Sequence, residues 1–325
     1  MSIWDETHAI SVDHDFEDEG YGRSSSSSYL SSLPTSVRQG VYENGRIYAS
    51  YGKNMQGMPI DDQEQDRNDL QHKKFNLLLG DELHLAPIAE SPQKLLDLGT
   101  GSGIWAMDMA DRHPSAHVIG IDLAPVQQTW VPPNCQFEID DIEDDWLFGM
   151  SSFDFIFGRE LLLSIRDWPR LIKQAYDNLK PGGYLELSMT HSRTCCTDGS
   201  LDLKTSYLAE SANLMFDIGE RMGTPLDAQE KWRDQFSEAG FEEVQQHIFK
   251  IPIGPWEQDG RLKHIGMFEL ANMDKGFDSF LLRGFTKILG RPATELSAIV
   301  AKARQEMSNP AHHANVHLYA SWARP

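Results

Sequence analysis

Residues 94–122 read KLLDLGTGSGIWAMDMADRHPSAHVIGID, and the order of residue types in this stretch decides the architecture. A short apolar run, Leu95-Leu96-Asp97-Leu98, leads into Gly99-Thr100-Gly101-Ser102-Gly103, after which Ile104, Met107, Met109 and Ala110 recur at helical spacing. Pro114 ends that helix, and a second apolar run, Val118-Ile119-Gly120-Ile121, delivers an acid, Asp122. The pattern predicts strand, glycine turn, helix and strand, the first half of a nucleotide-binding α/β unit.

Glycines let the chain turn sharply from strand to helix, and they remove the Cβ atoms that would hold a ligand off the backbone. An acid at the end of the next strand is placed to accept hydrogen bonds from both hydroxyls of an adenosine ribose, which makes Asp122 a candidate contact. The spacing is G-x-G-x-G, whereas the dinucleotide fingerprint is G-x-G-x-x-G, in which the helix N-terminus faces a pyrophosphate. Asp97 at the strand end would repel a phosphate and attract an ammonium. S-adenosylmethionine, with an amino acid and a sulfonium in place of phosphates, suits both features.

The chain has 325 residues, enough for one large or two small domains, and a formal charge of −20 from 49 acidic and 29 basic residues. Such a surface is repelled by nucleic-acid phosphates and anionic lipid, so neither direct nucleic-acid binding nor membrane binding is expected. Without a run of about twenty apolar residues or a charged-then-apolar leader, the chain reads as cytoplasmic, with the nucleus as the alternative compartment. Cys135, Cys195 and Cys196 fit a reducing compartment and lack zinc-site spacing, and no His and carboxylate cluster indicates a metal.

Residues 1–40 are acidic and then serine-rich, which predicts a disordered tail ahead of a single domain over 41–325. A helix capped by Asp61 or Asp62 carries Leu70, Phe75, Leu78 and Leu79. The tyrosines before it, Tyr42, Tyr48 and Tyr51, either close over a cofactor or staple that helix to the core. Strands are expected at Cys135–Ile139, Phe153–Phe157 (followed by Gly158-Arg159-Glu160) and Tyr184–Met189, with Lys180-Pro181-Gly182-Gly183 as a turn. Asp167 and Pro169 open a helix between the last two. Asp141 and Ile142, at the carboxyl end of the third strand, are either purine contacts or part of a helix cap. This alternation implies a mostly parallel sheet with helices on both faces. Helical material at about 190–226 and 252–310 is expected to cover the carboxyl edge as a cap over an acceptor pocket.

YENGRIY, DDQEQDR, LLDLGTGSGIWAMDMA, VIGIDLAP, FDFIFGR, LKPGGYLEL, EAGF and HLYASWAR together resemble the class I S-adenosylmethionine-dependent methyltransferases, and within them the fungal LaeA-like group. The resemblance covers residues 42 to the end. It implies a Rossmann-like fold with a seven-stranded, mostly parallel sheet and S-adenosylmethionine as cofactor. Asp97, Gly99, Gly101 and Gly103 would contact its methionine portion, Asp122 with Leu123 the ribose, and Asp141 with Ile142 the adenine. Arg159 would lie near the methionine carboxylate or the acceptor, and Tyr48 would act as a lid. The group commonly carries further acids beyond the position of Glu186, where this chain has Leu-Ser-Met-Thr-His191, so its acceptor pocket is expected to differ.

Methyl transfer displaces a neutral sulfide from an activated donor, so holding acceptor and methyl in line accounts for much of the catalysis, and a base is needed only where the nucleophile must lose a proton. His191 is the best-placed histidine for that role; the alternative is a loop histidine with local hydrogen bonds. Two functions remain open at this point. One is an enzyme that methylates a small molecule of fungal secondary metabolism, and the other a LaeA-like regulator acting through nuclear protein partners.

Overall fold

The computed structural model describes residues 39–52, 55 and 57–325, so the expected tail lies almost wholly outside the described residues. The chain enters through an antiparallel hairpin, β1 (Val41–Glu43) and β2 (Arg46–Tyr48), turning at Asn44 and Gly45, both with positive φ. Helix α1 (Asp62–Leu79) follows. The Asp61 side chain accepts from the Glu64 N–H at its start, and Gly80 closes it in the left-handed conformation.

The predicted unit then appears as β3 (Lys94–Leu98), α2 (Ile104–Arg112) and β4 (His117–Asp122). Beyond it run β5 (Cys135–Ile139), β6 (Phe153–Arg159), α3 (Trp168–Asn178) and β7 (Leu179–Cys195). The remaining strands and α-helices are α4 (Tyr207–Met222), α5 (Trp232–Ala239), β8 (Glu242–Pro252), α6 (Gly260–Arg283), α7 (Ala293–Met307) and β9 (Asn315–Arg324). The Lys180–Gly183 segment, expected as a turn, is absorbed into β7 as an irregularity: Phe153 pairs with Leu179, and Phe155 with Tyr184.

Seven strands form one sheet in the order β5-β4-β3-β6-β7-β9-β8. Pairings from β5 to β7 are parallel, while β9 runs antiparallel to both β7 and β8. The chain leaves β3 toward β4 and β5, then returns to place β6 on the other side of β3. This reversal opens a crevice beyond the carboxyl ends of β3 and β6, where open α/β sheets bind ligands.

The two sheet faces follow from strand alternation. Leu95, Phe155 and Phe157 pack under α2, where Trp105 stacks on Phe157 at 4.0 Å and 6°. Leu96, Leu98 and Ile156 lie on the opposite face with α3, α4, α6 and α7. Asp97 and Arg159 continue the first series and Glu160 the second, so each face sends its own charged groups to the edge of the sheet. No helix among the described residues is long and apolar enough to cross a membrane.

Candidate active site

The glycine turn is the floor of the crevice. Gly99, Gly101 and Gly103 have φ of 64°, 56° and 83°, a region that side chains other than glycine adopt with strain. Their surroundings differ. A Cβ on Gly99 would lie 2.4 Å from Leu161 Cδ2, and one on Gly103 2.3 Å from the Phe137 ring, so both seat the turn against its neighbours. Gly99 and Gly101 line the main cavity. Gly103 lies between Ser102 and Ile104, which do line it, and its missing Cβ serves the packing of α2 on β5.

Asp122, at the end of β4, accepts from the Gly101 N–H at 2.8 Å and from the Ala124 N–H at 3.3 Å. It therefore fixes the turn as well as facing the cavity, and burial raises its pKa. Asp97 accepts from Thr100 Oγ1 at 2.6 Å, and burial pushes its pKa up to about 7. Nearby Arg159 favours its ionised form. Arg159 itself is lowered to about 10 by burial and stays cationic at neutral pH. Its guanidinium lies over the Phe75 ring at 4.5 Å and donates from Nη2 to His72 Nδ1 at 2.9 Å. Because guanidinium can only donate, His72 must accept at Nδ1 and carry its proton on Nε2, which donates to Asp108 at 2.9 Å. Burial lowers the His72 pKa, consistent with that neutral ring.

Helix α1 is the opposite wall. Glu64, Arg67, Gln71 and His72 are buried along one stripe, and with Gln65 and Asn68 they line the main cavity. Ser102 donates to Asp69 at 2.8 Å, tying the glycine turn to this helix. Gln65 Oε1 is buried with no hydrogen-bond partner among the described residues. Leu123 also lines the main cavity, and a side chamber lined by Gly99, Asp122, Leu123, Asp141, Ile142 and Leu161 continues from it. A Cβ on Gly52 would meet Asp141 Oδ2 at 3.1 Å and Leu123 Cδ2 at 3.2 Å, so the backbone after β2 packs against two residues that line this chamber.

Two expected residues lie elsewhere. Tyr48 is fully buried, its ring under the Arg283 guanidinium at 4.3 Å, and it lines none of these cavities, while the next residue, Ala49, lines the main one. His191 is buried with Nε2 3.1 Å from Glu230, beside the Phe216 and Tyr319 rings. The pleat of β7 turns its neighbours Thr190 and Ser192 into a second cavity and leaves His191 out of it. Glu186 is also structural. Its Oε2 accepts from the Leu85 and Ala86 N–H groups at 2.8 and 2.7 Å, with the pKa raised to about 7 by burial.

The second cavity lies under α4 and α6. Leu208, Met215, Met273, Phe277, Phe280 and Leu281 make its lining mainly apolar, and it shares Gln71, Glu160 and Leu162 with the main cavity. Glu160 is the residue that the sequence reading passed over. It has φ of 56°, unusual for a side-chain-bearing residue, and its Oε1 accepts from both the N–H and Oγ1 of Thr190 at 2.9 and 2.7 Å. Its Oε2 is buried with no hydrogen-bond partner among the described residues. Burial raises its pKa, against the attraction of Lys74.

The residues fit an S-adenosyl ligand by the chemistry of their donors and acceptors. The glycine backbone and the partnerless Gln65 Oε1 offer a cradle for an amino acid, with Arg159 as the cation for its carboxylate. The Asp122 carboxylate and the connected side chamber suit a ribose and a purine. When bound, that molecule supplies an activated methyl group.

Comparison with known proteins agrees. A family model described as a methyltransferase domain matches residues 70–246. The methyltransferase pytC of Aspergillus terreus is 39% identical over 88% of each chain. The secondary metabolism regulator LAE1 of Cochliobolus heterostrophus is 31% identical over 89% of this chain and 97% of its own. The protein-methionine methyltransferase laeA of Emericella nidulans is 30% identical over 85% and 75%. The chain belongs to the class I methyltransferases and takes S-adenosylmethionine as its methyl donor.

Proposed function

We propose that this enzyme methylates a small, largely apolar molecule of fungal secondary metabolism, held in the cavity under α4 and α6. The observation that carries this reading is the junction of the two cavities: the polar one suited to the donor and the apolar one share Gln71, Glu160 and Leu162. An acceptor in the apolar cavity would be shielded from water by the two helices, which then serve as the cap. In this reading Asp97, Gly99, Gly101 and Arg159 in the donor cavity hold the methionine portion, Asp122 and Leu123 the ribose, and Asp141 and Ile142 in the side chamber the adenine. The similarity to a relative named as a methyltransferase supports an enzymatic role.

A second reading draws on the relatives named as secondary metabolism regulators and on the one named as a protein-methionine methyltransferase. In it the acceptor is a protein side chain and the setting nuclear. Incubating the purified enzyme with methyl-labelled S-adenosylmethionine, a metabolite extract and the matching protein extract separates the two. Label in the solvent-extractable small molecules supports the first reading; label confined to protein overturns it in favour of the second.

A further inference from the structure

We propose that Glu160 is the general base of the reaction, taking the proton from a hydroxyl-bearing acceptor in the apolar cavity. The inference rests on the small-molecule reading above. Three independent observations converge on this side chain. It lies on the boundary shared by the two cavities, where acceptor and donor would meet. Its Oε1 is held by two hydrogen bonds from Thr190, one from the rigid backbone of β7, while its Oε2 is buried without a partner among the described residues. A buried carboxylate oxygen without a donor is costly unless something supplies one. Its backbone also has φ of 56° and Leu163 has φ of 57°, so two residues of one short turn adopt a conformation that side chains disfavour. Such strain persists where a side chain is held for a purpose.

The charges around Glu160 suit a base. From α1, Lys74 is fully buried and pairs with Glu269 of α6 at 2.7 Å; Asn272 also donates to Glu269, at 3.3 Å. Arg159 precedes Glu160 in the chain, lies over the Phe75 ring and donates to His72, and its charge and that of Glu160 attract each other. One lysine thus serves two buried carboxylates, and its direct partner is Glu269. Lys74 favours an ionised Glu160, while burial and the Glu269 charge favour taking up a proton. A carboxyl group raised above its usual range is a stronger base than one in water.

The acceptor O–H bond breaks and its proton passes to Glu160 Oε2, while an oxygen lone pair forms the O–CH3 bond. The S–CH3 electron pair returns to sulfur, leaving neutral S-adenosylhomocysteine and a protonated Glu160, which then releases its proton to water.

The test uses two probes of nearly equal shape: 2-naphthol, which must lose a proton, and 2-naphthalenethiol, which is already a thiolate at pH 8. Glu160→Gln keeps the Thr190 contacts and the side-chain size. It should lower kcat for 2-naphthol about 100-fold or more, within the range of general-base catalysis. Turnover of the thiol and the affinity for S-adenosylhomocysteine by calorimetry should be unchanged. Equal losses on both probes would show a structural role and overturn the proposal, as would weakened S-adenosylhomocysteine binding, which would assign Glu160 to the donor. If the wild-type protein binds S-adenosylhomocysteine but methylates neither probe, the apolar-acceptor reading itself fails and the base falls with it. An acceptor-free readout is the infrared difference between wild type and Glu160→Gln. A protonated-carboxyl stretch that titrates above the usual glutamate range supports the assignment, and its absence overturns it.

Discussion

Replacing Asp122 by asparagine should weaken S-adenosylmethionine binding while leaving the ligand-free fold as stable or more so. The carboxylate spends one oxygen on the Gly101 N–H at 2.8 Å and offers the other, loosely held by Ala124 at 3.3 Å, to the cavity. Asparagine can keep the Gly101 contact through its carbonyl, so the turn survives, but its NH2 group gives up the long Ala124 contact and faces the ribose hydroxyls with donors. Hydrogen bonds to a charged group are worth about 1.5–3 kcal/mol, which corresponds to roughly a 10- to 150-fold rise in Kd. The stability effect has the opposite sign. Burial raises the Asp122 pKa in the folded state, so the folded protein binds its proton more tightly than the unfolded chain does. That contribution therefore falls as pH rises through the interval between the unfolded and folded pKa values, and asparagine is free of it. Calorimetry for affinity and urea unfolding at pH 8 for stability measure the two effects. A variant that loses stability along with affinity would make Asp122 a structural clamp, and an unchanged Kd would remove it from the ribose site.

Glu186→Gln should flatten the pH dependence of stability: burial raises the Glu186 pKa from 4.5 to about 7, so the wild-type contribution declines between those values, by at most about 3 kcal/mol. Unfolding at pH 5 and pH 8 measures that slope, and an equal slope in both proteins would contradict it. Lys74→Met should cost about 3–5 kcal/mol, since it strands Glu269 in the interior, and adding Glu269→Leu should recover most of the loss. A double variant no more stable in urea than Lys74→Met would refute this. Tyr48→Phe should keep full affinity for S-adenosylhomocysteine in a titration and be neutral or stabilising in thermal melts, because the Tyr48 hydroxyl is buried without a hydrogen-bond partner among the described residues. A large loss of affinity would restore Tyr48 as a lid.

The glycine turn and both flanking strands are local features, and their residue types announced them: Gly99, Gly101 and Gly103 all take positive φ, and Asp122 reaches back to Gly101. The β1–β2 hairpin is equally legible, since Asn44-Gly45 is a strong two-residue turn signal. What escaped depends on which face a side chain takes in the assembled sheet. His191 looked well placed at the end of a strand, but alternation along β7 gives the cavity to Thr190 and Ser192. On α1 the apolar positions are the visible ones, whereas much of the buried stripe is polar: Glu64, Arg67, Gln71 and Lys74, of which Arg67 and Lys74 pair with α6 far along the chain. Glu160 followed a recognised strand without any local sign of its role. Only the meeting of β6, β7, α1 and α6 makes it a buried carboxylate between two cavities.

The central claim is that the crevice beyond β3, β4 and β6 is a donor site formed by this chain alone. Calorimetric titration of the purified protein with S-adenosylmethionine, and separately with S-adenosylhomocysteine, tests it most directly. Saturable one-to-one binding of both, weakened by Asp122→Asn and unaffected by Tyr48→Phe, is the predicted result. A folded protein that binds neither ligand would contradict it.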